Sequence, residues 1–193
     1  MTRTPLTHLA AAEYAEHFAV SREEDIPADV RPRVRASIAA GIRADKTITQ
    51  IADTLFARFG TLNLDWSIIA LEEVGECLNQ AAIICASPGD KAIWMAPFAK
   101  CCPACDVLHE QKFDIVSVDT RPLNLETQLW VGKDWRDRLA GEVWPGAGIQ
   151  GPMCRGSWSI RSKPDPRVSP EFVARLEAKV EGAMRTSKRP KYY

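Results

Sequence analysis

Apolar residues return every three or four positions through the first half of this chain, and that spacing predicts helices. Leu6, Leu9, Ala10, Tyr14, Phe18 and Val20 mark one over 6–20. An acidic, proline-containing connection runs from Ser21 to Pro32. Val34, Ile38, Ala39 and Ile42 mark a second helix over 33–44. Thr47 is placed to cap a third, whose stripe of Ile48, Ile51, Ala52, Leu55, Phe56 and Phe59 stops at Gly60. A fourth starts at Asn63 or Asp65 and runs to about Ala86, with Ile68, Ile69, Val74, Leu78, Ala81, Ala82 and Cys85 on its apolar side.

After Ser87-Pro88-Gly89-Asp90 the period changes from helix to strand. Short strands are expected at 92–95, 113–118, 129–131 and 157–161. Ser169-Pro170-Glu171 opens a last helix to about Arg185. Helices followed by strands and loops give an α+β class. Three parts are expected: a helical arm over 1–60, a small strand-loop domain with a cysteine cluster over 61–165, and a C-terminal helix with a basic tail over 166–193.

Composition narrows the classes. The chain has 193 residues, 46% of them hydrophobic, enough for a core. Lys+Arg and Asp+Glu are both 25, so no global basic field attracts nucleic acid. The tail Arg185, Lys188, Arg189 and Lys191, ending in Tyr192 and Tyr193, is a local exception that could touch DNA phosphates or simply lie in solvent. No apolar run is long enough to span a membrane, and the N-terminus lacks a signal peptide's apolar core. The expectation is a reducing cytoplasm, where the six cysteines read as metal ligands or buried thiols.

Cys102 and Cys105 form a C-x-x-C pair in a Pro-containing turn, with His109 just after and Cys154 far downstream. Thiolate and imidazole ligands of this kind close a tetrahedron around zinc, so a structural zinc at Cys102, Cys105, His109 and Cys154 is one reading. Thiols packed in a small core, or a local disulfide, is the other. Cys101 could replace Cys102. Redox use of the C-x-x-C is disfavoured, because no βαβ pattern surrounds it. Glu72, Glu73 and Glu76 share a side of the fourth helix; three carboxylates there could hold a cation or pair with arginines, but the commoner reading, a solvated face, is preferred. Cys77 and Cys85 sit at core spacing. His8 and His17 have no telling partner. Trp94, Trp130, Trp144 and Trp158 read as aromatics around a small core.

The order of features carries a resemblance. Phe59-Gly60 closes one helix, and Ile69-Ala70-Leu71-Glu72-Glu73 and Asn79-Gln80-Ala81 follow on the next. Then come a lone Trp94, Cys102-Pro103-Ala104-Cys105 with Leu108-His109, Trp144-Pro145-Gly146, and Pro152-Met153-Cys154-Arg155. Over about residues 35–161 this resembles the phage Mu F-type minor head protein family, the head-morphogenesis family of tailed phages. Two departures stand. The family's Arg-Thr-Glu is Leu71-Glu72-Glu73 here, and its closing His-Pro-x-Cys-Arg-Cys is Gly151-Pro152-Met153-Cys154-Arg155-Gly156, without the histidine and the last cysteine.

The resemblance implies a virion protein rather than an enzyme. Such a protein would be assembled in the host cytoplasm, associate with portal or capsid proteins, and assist head assembly or DNA packaging. Its docking face is expected on the long apolar stripes of 33–59. The rival class is a zinc-dependent hydrolase or nucleic-acid-modifying enzyme with Asp106 or Glu110 as acid/base. A toxin or effector cargo is a third class, for which no catalytic set stands in the sequence.

Overall fold

The computed structural model describes residues 5–20, 23–96, 101–120 and 122–161. The expected C-terminal helix and basic tail lie outside the described residues. Four helices come first: α1 (Pro5–Phe18), α2 (Arg31–Arg43), α3 (Ile48–Phe59) and α4 (Trp66–Cys85). Then come β1 (Lys91–Met95), a short α5 (Pro103–Leu108), β2 (Lys112–Ile115), β3 (Gln128–Leu129) and β4 (Ser157–Arg161). The class is α+β.

Local chemistry sets the helix ends. Thr47 and Gln50 form a reciprocal capping box at the start of α3. Asp65 caps α4 by accepting from the Ser67 and Ile68 amides. α3 stops at Gly60, as its pattern implies, though not through a left-handed glycine: the Gly60 φ is −58°, and the chain tightens into a 3-10 turn. The left-handed residue is Asn63, at φ 52°. Asparagine tolerates that region because its short polar side chain adapts to it.

The sheet order is β3-β2-β1-β4. β1 is antiparallel to β2 and β4, and the short β3 is parallel to β2. Two hydrophobic clusters share α4. One joins α1, α2 and α3 to Trp66, Ala70, Val74, Cys77, Ala81 and Ile84 of α4. The other lies between Ile83 and the sheet, around Trp94, Phe113, Leu129, Ile149 and Trp158. Val131 packs against both. Trp94 and Trp158 pair across β1 and β4, edge to face at 4.7 Å.

One expectation needs correcting here. The stripes of 33–59 do not form an open face: Val34, Ile38, Ile51 and Leu55 are at most 1% exposed. They pack on one another and on α1 and α4, because a helical layer of this size needs them for its own core. Phe56, at 67%, is the large apolar side chain that α3 leaves in solvent.

Candidate functional site

The segment Trp144–Gly151, Trp-Pro-Gly-Ala-Gly-Ile-Gln-Gly, is a loop buried along its whole length. Loops normally run over the surface, because buried backbone groups need partners. Here side chains supply them. The Ile149 amide donates to Glu76 Oε2 at 2.9 Å, and the Ala147 amide to the Lys133 carbonyl at 2.7 Å. Gln150 folds back within the loop, accepting from the Gly146 amide and donating to the Gly146 and Gly148 carbonyls. Arg138 donates to the carbonyls of Trp144 (Nε, 2.7 Å) and Gln150 (Nη1, 2.8 Å). Trp158 Nε1 donates to the Ala147 carbonyl at 3.0 Å. Small residues are required at the closest approach. A Cβ on Gly148 would sit 1.8 Å from Glu76 Oε2.

Glu76 belongs to a polar row along α4. Glu73 Oε2 accepts the Val20 amide at 2.6 Å. Glu72 accepts the Met153 amide at 2.8 Å. Asn79 spans two groups, donating to the Gly156 carbonyl (3.2 Å) and accepting from the Trp158 amide (3.0 Å). Gln80 donates to Glu76 and accepts from the Gly132 amide, both at 2.9 Å. One helix thereby grips the chain at six places that are distant in sequence. The solvated-face reading of these glutamates is corrected for two of them: Glu73 and Glu76 are 5% and 7% exposed. Burial pushes the Glu73 carboxyl up to about 8. Burial, then the Asp134 charge, pushes Glu76 up to about 7. Arg136, beside Asp134 (3.6 Å) and Glu23 (4.0 Å), opposes both shifts.

A second buried charge holds the segment before the loop. Lys133 is fully buried. Its ammonium donates to the Leu125 and Gln128 carbonyls and lies over the rings of Trp130 (4.6 Å) and Trp144 (5.2 Å). Burial lowers its pKa to about 7. Arg138 lies over the same Trp144 ring at 5.3 Å.

The thiols lie beside this loop. Cys105 and Cys154 touch, Sγ to Sγ, at 3.4 Å. Cys102 caps the short α5, its sulfur accepting the Cys105 amide at 3.3 Å. The Cys154 thiol is drawn down to about 6, first by the Cys105 hydrogen bond and then by backbone donors and Arg138; Cys105 is pushed far up by the same contact and by burial. The buried Trp94 Nε1–H has no nitrogen or oxygen partner and lies beside the Cys105 sulfur. The Trp94 ring also packs against Gly156, where a Cβ would approach it to 2.3 Å.

His109 is held differently. Its Nδ1 accepts the Ala96 amide at 3.2 Å, so the neutral ring carries its proton on Nε2 and offers a metal no free lone pair. The four groups expected around zinc are therefore only partly assembled. Cys105 and Cys154 are spaced as two thiolates on one ion could be. His109 would have to release Ala96. Among the described residues, the trio with ligand atoms all within 4.8 Å of one another is Glu13, Glu16 and His17. Arg43 already neutralises both of those glutamates. Asp106 contacts Cys101 at 4.0 Å. Cys77 is buried on α4, as its spacing implied, and Cys85 is half-buried there. No described helix is long and apolar enough to cross a membrane.

Compared with known proteins, the chain matches no family model, no curated protein and no solved structure.

The sequence reading missed Lys133, Arg138, Asn79 and Gln80 as organising residues. The stripe Glu73, Glu76 and Gln80, with Asn79 beside it, was the available signal: helical spacing of polar groups flanked by apolar residues on both sides.

Proposed function

We propose that this chain is a minor head protein of a tailed phage, acting by binding to portal or capsid proteins rather than by catalysis. The observation that carries the reading is the α4 row. Glu73 and Glu76, the buried carboxylates of α4, and the amides Asn79 and Gln80 beside them are each committed to a backbone group of a distant segment. Such a row makes a rigid body. The residues carrying the family resemblance belong to this framework: Glu73, Asn79 and Gln80 grip, Trp144-Pro145-Gly146 opens the buried loop, and Cys105 meets Cys154.

Docking uses what the fold leaves exposed, Phe56 on α3 and Leu139, Met153 and Val107 around the loop and thiols. A structural zinc enters this proposal as an added staple across the sulfurs, and metal analysis of protein purified without chelator tests it. Contact of the 185–193 tail with packaged DNA is tested by salt-dependent retention on duplex DNA.

The direct test is co-expression with the portal protein of the same phage, followed by sedimentation. Co-migration with the portal oligomer is expected. A monomer that leaves the portal unbound would overturn the proposal.

A further inference from the structure

Three sulfurs lie together with graded access. Cys102 is half-buried, while Cys105 and Cys154 are 2% and 7% exposed. Cys105 is central, its sulfur in contact with Cys154 at 3.4 Å and its amide on the Cys102 sulfur at 3.3 Å. The thiolate is the nucleophile in disulfide exchange. The inner pair joins segments 49 positions apart, between α5 and the end of the buried loop.

We propose that Cys102, Cys105 and Cys154 form a disulfide-exchange site, in which a small disulfide such as glutathione disulfide enters at Cys102 and the bond comes to rest between Cys105 and Cys154. Of the three, the half-buried Cys102 is the sulfur a solute can reach. Its thiolate attacks one sulfur of glutathione disulfide, forming a mixed disulfide and releasing one glutathione. Cys105 attacks the Cys102 sulfur, releasing the second glutathione and closing a Cys102–Cys105 bond. Cys154 then attacks Cys105, forming the Cys105–Cys154 bond and returning Cys102 as a thiolate. In total two thiols lose two electrons and two protons, and glutathione disulfide becomes two glutathiones.

The end point follows from geometry and chain entropy. The inner sulfurs already touch, so bonding needs only a small side-chain rotation. Their link also closes a far longer loop than Cys102–Cys105 would, and so constrains the unfolded chain more. This chemistry is independent of the head-protein reading. For a particle that leaves a reducing cytoplasm, it would fix the buried loop to α5 after release.

The test uses the full chain, reduced and treated with chelator, then incubated with glutathione disulfide. Aliquots are alkylated and mapped by mass spectrometry. The expected product is a Cys105–Cys154 link. Cys102→Ser should give the same product roughly tenfold more slowly, because the buried thiols must wait for local opening. Cys154→Ser should stop at Cys102–Cys105 or at the glutathione adduct. A wild-type end product linking Cys102 to Cys105, or no link at all, overturns the proposal. A Cys102→Ser chain that reacts at the wild-type rate overturns the entry role. Circular dichroism of each variant, with Cys154→Ala beside Cys154→Ser, separates misfolding from lost chemistry, and the wild-type map decides without any variant.

Discussion

Replacing Asn79 by alanine tests the α4 grip at a site free of charge effects. Asn79 is 4% exposed, and its amide makes one bond in each direction, to the Gly156 carbonyl at 3.2 Å and from the Trp158 amide at 3.0 Å. Truncation leaves one acceptor and one donor unpaired at the point where the loop enters β4. An unsatisfied buried polar group costs about 1–3 kcal/mol, so the pair is worth roughly 2–6 kcal/mol. A domain of this size commonly has a total stability of about 5–15 kcal/mol. Water admitted into the gap would bring the loss toward the lower end. Urea unfolding followed by tryptophan fluorescence measures it, with Trp158 itself beside the change. The midpoint should fall with little change in slope. Asn79→Asp should also destabilise, because it keeps the acceptor for Trp158 but sets a carboxylate against the Gly156 carbonyl. A loss below about 0.5 kcal/mol for Asn79→Ala would refute the reasoning, since surface substitutions reach that much.

The remaining expectations concern the same framework. Gly148→Ala should be severely destabilising alone, and much less so in a Glu76→Ala background, because the three atoms nearest the added Cβ all belong to the Glu76 carboxylate; a double-mutant cycle in urea reads the coupling. Glu73 and Glu76 hold protons in the fold up to about 8 and 7. Unfolded glutamates release theirs near pH 4.3. Their contribution is therefore full below the unfolded value and lost as pH rises through the folded ones, so stability should fall between about pH 4 and 8, and Glu73→Gln should flatten that slope in pH-dependent melting. Lys133 should resist amine acetylation in the native chain and react on unfolding, by peptide mapping; Lys133→Ala, which leaves the Leu125 and Gln128 carbonyls unpaired, should cost about 2–4 kcal/mol in urea. Phe56→Glu should leave the melting temperature nearly unchanged yet weaken portal co-sedimentation; unchanged binding would remove α3 as the docking face.

The elements were legible wherever one face of the chain is apolar and the other wet. α2, α3 and α4 start and stop within a few residues of the positions their periodicity implies, and β4 runs over the same Ser157–Arg161. That pattern carries little information where both faces are buried. Glu73 and Glu76 look like surface charges because their partners, Val20 and Ile149, lie far off in sequence. Residues 144–151 look like an exposed turn because glycine and proline mark turns. Here glycine allows close approach instead. The thiol contact was half legible: C-x-x-C brought Cys102 and Cys105 together, and the Pro-Met-Cys-Arg of the resemblance pointed to Cys154. His109 was grouped with them by spacing alone, whereas its ring supports the backbone at Ala96.

The measurement that bears most directly on the α4 framework is amide hydrogen exchange, residue by residue, on the native chain. The amides of Val20, Gly132, Ile149 and Trp158 have side-chain acceptors on α4. They should exchange as slowly as the middle of α4 itself, and Ile149 should speed up sharply in Glu76→Ala while the α1–α3 amides do not. Exchange of all four at the rate of open loops would contradict the account.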